Sequence, residues 1–363
     1  MPIKKLAATA VDISVSQLFG TRNKIINGDM RIDQRTAGAN TTIPSGTGFT
    51  LDRWEYASTQ ASKLVLARNI NAVTPPAGFT NYLGVVSSSA YSIVSTDLFR
   101  ISQAIEGFNI ADLAWGTASA QPITLSFWVR SSLTGTFSGA LQNAANSRAY
   151  PFTYAIIAAN TWEYKTIVVP GETTGVWVVD NGMGMRIQFG LGLGSTKTQP
   201  AGVWYSGDAN GANGSTSVVG TSGATWFVTG VQLEKGSTAT VFENRHYGTE
   251  LALCQRYCQR FGVFPTSSFD SFMSYYGGTN ALSSVKRLTT QMRATPTASF
   301  INGSVQYYSF AGAWTNTSLV ASIISNEMYY IYASTDGDGR SKLMRNGNSG
   351  TDPDPVVIFT AET

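Results

Sequence analysis

The stretch from Ile25 to Arg35, Ile-Ile-Asn-Gly-Asp-Met-Arg-Ile-Asp-Gln-Arg, together with the stretch Phe-Thr-Leu-Asp-Arg-Trp from Phe49 to Trp54, decides the fold class of this chain. In the first stretch, an apolar pair runs into an Asn-Gly dipeptide, which favours positive φ angles and predicts a hairpin turn. The second stretch is typical of a strand and ends in Arg-Trp. A loop rich in Gly, Thr and Ser lies between them. Together they predict the start of an antiparallel β domain.

The composition agrees with a β protein that has many turns. The chain has 363 residues, which is enough for two domains, and it contains 36 glycines. Charged residues make up only 13% of it, roughly half of the usual share. This balance argues against a solvated helical bundle and against a disordered chain. A surface with so few charges must be covered by small polar residues or by neighbouring copies.

Charge and hydropathy exclude several classes of protein. The formal net charge is +3, and the Lys and Arg residues are scattered, so no basic stripe predicts nucleic-acid binding. No run of about 18 apolar residues predicts a transmembrane helix. The apolar run near Ile3–Ala10 is too short for a signal peptide. Cys254 and Cys258 are four residues apart, which is poor disulfide geometry on a helix, so we expect two reduced core residues.

The pattern along the chain divides it into four parts. We predict an N-terminal docking arm (1–22), a jelly-roll β-sandwich (23–245), a short linking helix (246–262) and a second, smaller β domain (263–363). The predicted strands of the sandwich are Leu64–Arg68, Tyr82–Val86, Ile123–Arg130, Thr136–Leu141, Trp162–Val169, Met185–Leu191 and Trp226–Leu233. Turn clusters separate them, and no amphipathic helices intervene, so the fold class is all-β and antiparallel.

Two further elements follow from local patterns. Leu98, Ile101, Ser102 and Ile105 have helical spacing and predict one short helix within the sandwich region. In the C-terminal region, Asn302-Gly303 predicts a hairpin turn between two strands. The predicted strands of that region are Leu282–Leu288, Ala298–Ile301, Ser304–Phe310, Leu319–Ile324, Met328–Ala333 and Val356–Phe359.

The linking helix is predicted to carry two apolar stripes. One contains Leu251, Cys254 and Cys258, and the other contains Leu253, Tyr257 and Phe261. A helix that is apolar on two sides must be covered on both. Two accounts remain open and compatible: a helix wedged between two β domains, and a helix near the axis of a homotrimer.

Taken in order, these motifs resemble a jelly-roll module of tail fibres and related surface proteins of tailed bacteriophages, which is also similar to carbohydrate-binding modules. The resemblance covers roughly residues 25–260 and rests on the opening stretches and on five later segments. These segments are Phe127–Arg130, Asn160–Lys165, Gly230–Gly236, Phe242–Arg245 and Glu250–Tyr257. It implies a virion fibre that assembles as a homotrimer, in keeping with the low charge.

The N-terminal segment predicts an attachment element. Val11, Ile13 and Val15 alternate with polar residues, which predicts one short strand or extended arm. The segment is too short to fold alone. We expect it to dock onto another virion protein (a tail adaptor, the baseplate or the capsid) through these three residues together with Leu18 and Phe19.

The residues offer little for catalysis or for metal binding. The one histidine, His246, lies in the segment that closes the module, where packing or turn formation is the expected role. His246 with the two cysteines lacks a fourth zinc ligand. Arg31 stands where similar carbohydrate-binding modules place an acidic calcium ligand. The Asp336–Arg340 stretch lacks the downstream acid of an EF-hand, so we predict a solvated loop there. We therefore predict no enzyme activity, no metal and no cofactor.

Sugar binding requires exposed aromatic faces beside polar groups. Trp177, Trp204 and Tyr205 lie near Gly-rich loops and are the predicted carbohydrate-binding residues. Three other indoles, those of Trp54, Trp128 and Trp226, fall in strand patterns and are predicted to be core. Trp162 is a position of the family pattern, and the resemblance implies that it is also core.

The prediction for function is a structural protein of the virion, located on the tail or capsid surface and made in the bacterial host cytoplasm. A tail fibre would attach through its N-terminal arm and bind host surface glycan. The alternatives are a head fibre or capsid decoration protein, and a non-viral carbohydrate-binding module. The expected partners are other copies of the chain, virion proteins and a glycan. The sequence does not distinguish tail from head and does not identify the receptor.

Overall fold

The structure is a computed structural model. It describes residues 22–262, 281–301, 304–308, 314–323, 328–334, 344–346 and 356–362. The predicted docking residues Val11, Ile13, Val15, Leu18 and Phe19 lie outside the described residues, as does the Asp336–Arg340 loop. No helix in the described part of the chain is long and apolar enough to cross a membrane.

Two six-stranded sheets form a β-sandwich between residues 41 and 235. Its strands are β1 (Thr41–Thr42), β2 (Gly46–Leu51), β3 (Trp54–Ser58), β4 (Leu64–Arg68), β5 (Leu83–Ser87), β6 (Leu98–Glu106), β7 (Ile123–Ser131), β8 (Gly135–Asn143), β9 (Ala149–Ile156), β10 (Glu163–Val169), β11 (Met183–Leu193) and β14 (Thr225–Lys235). Two short strands in the same region, β12 (Thr198–Gln199) and β13 (Gly211–Ala212), pair only with each other. Sheet A has the order β1-β4-β5-β14-β7-β10, and sheet B has the order β2-β3-β6-β11-β8-β9. The strand pairs within both sheets are antiparallel, which confirms the predicted all-β sandwich.

The core between the sheets follows from period-two alternation. In β7, the side chains of Leu125, Phe127 and Val129 are fully buried, and β11 contributes Ile187 and Phe189 from the other sheet. These residues belong to one continuous apolar cluster. The alternation therefore assigns the remaining positions of both strands to the outer faces of the sandwich.

The helix predicted near Leu98–Ile105 is wrong, because this segment is the nine-residue strand β6. Phe99, Ile101 and Ile105 share the inner face at a period of two, and each is buried. Ser102, which points to the outer face, is also buried, so the strand has buried side chains on both of its faces. Spacing in the sequence alone does not separate such a strand from a helix.

The Asn27-Gly28 dipeptide lies in a turn, as predicted, in which the Met30 N–H donates to the Asn27 carbonyl at 3.2 Å, but this turn does not join two strands. Asn27 has φ 58°, and its side chain bonds the N–H and the carbonyl of Ile32 at 2.9 and 2.8 Å. A Cβ on Gly28 would come within 2.2 Å of the Val231 carbonyl oxygen, so the position needs glycine. The indole of Trp54 donates to the Asn27 carbonyl at 3.0 Å. The two opening stretches of sequence therefore meet in space.

Helix α1 (Tyr247–Gln255) follows the sandwich and is shorter than predicted. His246 caps it, with Nδ1 accepting the Gly248 N–H at 3.3 Å. Tyr257 lies after the helix, and Cys258 begins a strand. The residues of the two predicted apolar stripes are thus divided among a helix, a turn and a strand, so they do not form two stripes on one helix.

The residues that were predicted to line the linking helix and a trimer axis are mostly buried within the chain itself. Cys254 and Tyr257 pack with Ile26 and Ile32, and Leu251 is half-buried against them. Cys258 is also fully buried. Arg53 stacks on the Tyr257 ring at 3.4 Å, and the Tyr257 hydroxyl donates to Glu106 at 2.5 Å. Cys254, Tyr257 and Cys258 therefore offer no surface to a trimer axis, and the trimer itself stays a prediction.

Both cysteines are free thiols, as predicted. Burial raises the pKa of the Cys254 thiol and of the Cys258 thiol well above the ordinary value. The neighbouring Asp52 carboxyl is also buried, and this desolvation raises its pKa to about 6 even though Arg35 lies close by. The cysteines are thus protonated core residues.

The C-terminal region forms two further sheets. Its strands are β15 (Cys258–Gly262), β16 (Ala281–Arg287), β17 (Thr297–Ile301), β18 (Ser304–Tyr308), β19 (Trp314–Ile323), β20 (Met328–Ser334), β21 (Met344–Asn346) and β22 (Val356–Thr360). One sheet has the order β15-β22-β17 and the other β16-β20-β19-β18-β21. The consecutive strands β17 and β18 are assigned to different sheets. The predicted hairpin turn at Asn302-Gly303 lies outside the described residues and stays a prediction.

Candidate glycan-binding groove

An aromatic pair stands on the outer face of sheet A. Trp128 on β7 lies directly opposite Tyr164 on the edge strand β10, and their ring centroids are 5.3 Å apart. Trp128 is half-buried and Tyr164 is 44% exposed. The prediction of Trp128 as a core residue is therefore wrong. The reason is that Phe127 beside it takes the inward position, and two successive large aromatic residues do not reveal which face is covered.

A second aromatic pair, Phe79 and Phe242, lines the same groove. Phe79, in the loop before β5, meets Phe242, in the segment after β14, edge to face at 5.1 Å. The Phe79 ring rests on Gly230, where an added Cβ would come within 2.6 Å of it. Gly230 also has φ 62° and lies at a register shift between Thr229 and Gln232. Glycine thus creates the space into which Phe79 fits.

The four rings line an open groove of about 510 Å³, which lies in the ordinary size range of small-ligand sites. Polar groups at its walls come from Ser126, Thr240 and Asn244. The remaining lining residues are Ala77, Gly78, Gly230 and Val241. No charged side chain occurs among these described lining residues. The groove therefore offers ring faces together with a few neutral polar groups.

The segment that carries Phe242 is held by two carboxylates, of which Glu234 is buried and Glu243 is half-buried. Glu234 accepts the Thr240 N–H at 2.9 Å and the Thr240 hydroxyl at 2.7 Å. Glu243 accepts the backbone N–H groups of Arg22 at 3.1 Å and of Asn23 at 2.7 Å. Charge-assisted bonds of this kind fix a segment that has no strand of its own. The groove is consequently preorganised by sheet A and by the start of the sandwich chain.

The predicted sugar-binding tryptophans lie elsewhere, in a cluster with Trp115. The ring centroids of Trp115 and Trp177 are 4.7 Å apart, those of Trp115 and Trp204 are 5.3 Å apart, and those of Trp177 and Trp204 are 5.9 Å apart. Trp177 is only 7% exposed, so its faces are occupied by protein, whereas Trp204 is half-buried. Each indole N–H of the cluster donates to a backbone carbonyl. This cluster closes one part of the core.

Tyr205 is half-buried and pairs through its backbone with Ala149 at the edge of sheet B. Tyr205 does not line the groove, and its ring does not pack against an indole in the described part of the chain. Trp54 and Trp226 are buried, as predicted, and Trp162 is half-buried against Tyr82 and Phe227. Period-two alternation with Tyr164 as the cross-strand partner is the one signal that could have identified Trp128.

The acidic residues that could serve a hydrolase have structural partners. Glu106 binds Arg256 at 2.9 Å and the Tyr257 hydroxyl, Glu172 binds Arg148 at 2.7 Å, and Glu234 holds Thr240. Asp112 binds Lys24 at 2.6 Å, Glu163 binds Lys165 at 2.6 Å, Asp208 lies 3.6 Å from Lys197, and Asp180 accepts the Gly182 N–H at 2.7 Å. Arg31 forms an ion pair with Asp29. Within the described residues, no group of three or more acidic, His or Cys side chains is arranged to hold a metal ion.

No protein-family model and no curated protein sequence matches this chain. Among solved structures, it is similar to the enzymatically active domain of tailspike protein 4 of Bacteriophage CBA120, with 13% identity and a TM-score of 0.31 over 59% of this chain and 21% of that one. A putative sugar binding protein from Bacteroides thetaiotaomicron VPI-5482 is similar at 12% identity and a TM-score of 0.34, over 59% of this chain and 100% of that one.

A Family 11 Carbohydrate-Binding Module from Clostridium thermocellum, in complex with a β-1,3-1,4-mixed-linked tetrasaccharide, is similar at 12% identity and a TM-score of 0.26, over 57% of this chain and 100% of that one. The chain thus spans about a fifth of the tailspike structure and the whole length of the two smaller proteins. Similarity at this level does not identify a ligand or an activity of this chain.

Proposed function

We propose that this chain is a non-catalytic structural protein of a tailed-phage particle and that it binds host surface glycan through the groove between Phe79, Trp128, Tyr164 and Phe242. The observation that carries the proposal is the groove itself, in which four aromatic rings and neutral polar groups meet on the outside of a rigid sheet.

The chemistry of the groove favours binding to an uncharged part of a saccharide. Sugar rings present C–H groups that pack on aromatic faces, while their hydroxyls need neutral donors and acceptors beside those faces. Tyr164, Ser126 and Asn244 supply such groups. Cleavage of a glycosidic bond would need a pair of carboxyl groups flanking it, and the described lining contains no acidic residue. Binding is therefore the proposed activity.

Two substitutions on one strand test the groove. Tyr164 and Val168 both lie on β10, and their side chains are 44% and 46% exposed. Only Tyr164 lines the groove. We expect Tyr164→Ala to weaken binding to immobilised bacterial lipopolysaccharide and capsular polysaccharide by about tenfold, since one stacking face contributes about 1 kcal/mol or more. Val168→Ala should bind like the parent protein. Equal binding by the parent and Tyr164→Ala would refute the groove.

The virion part of the proposal is supported by the order of the sequence motifs between residues 25 and 260. The proposed form is a homotrimeric tail fibre attached through residues 1–22. A head fibre or capsid decoration protein is the alternative within the virion, and a free carbohydrate-binding module is the alternative outside it. Light scattering of the purified protein, followed by antibody labelling of phage particles, distinguishes them. A monomer that labels no particle would contradict the virion assignment and leave the groove proposal intact.

A further inference from the structure

The outer face of sheet B carries a cluster of charged and polar side chains at positions where they share one face. Glu55, Ser102 and Gln188 stand opposite one another in a row across β3, β6 and β11. Arg100 lies two residues from this row on β6, and Arg186 lies two residues from it on β11. The two guanidinium groups therefore approach the same row from opposite sides. We call these five residues the arginine cluster.

One carboxylate serves both arginines. Glu55 Oε2 accepts the Ser102 hydroxyl at 2.8 Å and lies 3.6 Å from Arg100 Nη2 and 3.9 Å from Arg186 Nε. Arg100 also donates to the side-chain oxygens of Gln188 and Asn210. The 3.9 Å separation is too long for a hydrogen bond from Arg186. Within the described part of the chain, Arg186 Nε and Arg100 Nε have no hydrogen-bond partner, a status that they share with the Nε atoms of five other arginines.

The nearest additional acid does not balance the charge. Asp208 accepts from Gln142 at 2.7 Å and from Asn210 at 3.0 Å, and it lies 3.6 Å from Lys197. Counted together, Arg100, Arg186 and Lys197 oppose Glu55 and Asp208, which leaves an excess of one positive charge. This excess is partly covered, because Arg100 is 7% exposed and the Arg186 side chain 14% exposed.

A covered positive charge of this kind is costly for the fold. Burial and then the neighbouring Arg186 lower the pKa of Arg100 to about 10, so the protein partly disfavours its own cation. An oxyanion that enters beside Arg186 would supply the missing negative charge.

We propose that Arg186, backed by Arg100, binds the oxyanion of an acidic sugar, either the carboxylate of a uronic acid or the phosphate of a sugar phosphate. The planar guanidinium fork matches both anions and accepts them through two parallel hydrogen bonds. Glu55 and Ser102 hold the arginine pair in position from behind. This site lies on the other sheet from the aromatic groove and does not require the groove to bind.

The experiment compares three probes on the full chain. Galacturonic acid, glucose 6-phosphate and neutral galactose are titrated while the Arg Nε–H signals are followed by NMR. We expect at least one acidic sugar to bind at least tenfold more tightly than galactose and to shift two Arg signals. Arg186→Met should weaken that binding at least tenfold. Arg260→Met removes the same charge from an exposed side chain outside the cluster and should bind like the parent protein.

The outcomes distinguish a carboxylate site from a phosphate site, and they also show when the proposal is wrong. Tighter binding of galacturonic acid identifies a carboxylate site, and tighter binding of glucose 6-phosphate identifies a phosphate site. Equal binding of all three sugars, or acidic-sugar binding that survives in Arg186→Met, overturns the proposal. Unfolding of Arg186→Met at a clearly lower denaturant concentration than the parent would also contradict it, because a residue kept for a ligand should not be needed for the fold.

Discussion

The two outer faces of the sandwich both depart from the usual pattern of burial: aromatic side chains are exposed on one face, and charged side chains are covered on the other. On sheet A, the outward Trp128 and Tyr164 remain open to solvent beside a groove. On sheet B, the outward Arg100 and Gln188 are almost completely covered. Period-two alternation tells which side chains point outward. Whether an outward side chain reaches water depends on the loops and segments that cross the sheet. The exposure of the aromatic residues and the burial of the arginine are therefore both set by tertiary packing.

The largest expected effect comes from removing the acid of the arginine cluster. Glu55→Gln should lower the free energy of unfolding by about 3 kcal/mol, because Arg100 and Arg186 would lose the carboxylate that they share. Urea denaturation measures the change. The matched control is Glu163→Gln on β10, where the pair with Lys165 lies on an edge strand and should contribute about 1 kcal/mol or less. Similar losses in both variants would show that the two faces do not differ electrostatically.

The next effect separates the shape of the groove from general backbone strain. Gly230→Ala should cost about 2 kcal/mol, because its φ of 62° is unfavourable for alanine and the new Cβ displaces Phe79. Gly223→Ala is the control, since φ is 75° there and the glycine has nothing within 4 Å of the added Cβ. It should cost about 1 kcal/mol. Polysaccharide binding should be lost only in Gly230→Ala; loss in both variants would mean that strain alone impairs binding.

The smallest effect concerns salt. Raising the salt from about 0.1 M to about 1 M shortens the Debye length from about 10 Å to about 3 Å. Acidic-sugar binding at the arginine cluster should therefore weaken several-fold. Binding at the aromatic groove should change by less than about twofold, because the described groove lining carries no charge. Titrations of each ligand at both salt concentrations measure this. A salt-dependent groove would remove the chemical contrast between the faces.

The strands with the clearest alternation were predictable almost to the residue. Leu64–Arg68 matches β4, and the predicted Ile123–Arg130 differs from β7 by one residue at its end. The failures have a common origin. β6 was predicted as a helix, and the helix 246–262 was predicted to run past Gln255, because apolar residues on both sides of a segment carry no single period. A Trp that follows a Phe, as at position 128, leaves the choice of face undecided.

The candidate sites were less predictable than the fold. Aromatic content pointed to sugar binding, yet Trp177 packs against Trp115, whereas Phe79 and Phe242 meet across 163 residues of sequence. Contacts over such distances are set by the pairing of strands, and no local pattern encodes them. The arginine cluster likewise joins β3, β6 and β11, and its residues are polar positions of separate strands when each is read alone.

By itself, the sequence determined the all-β class, the reduced state expected of its cysteines and the scarcity of charge, because alternation, thiol spacing and composition are local properties. Only the tertiary structure decided which outward side chains are exposed. It also buried Cys254, Tyr257 and Cys258 within the chain and brought Phe79 onto Gly230. The physical reason is that burial depends on which distant segments cover a face, and that choice is made when the two sheets and their connecting segments pack together.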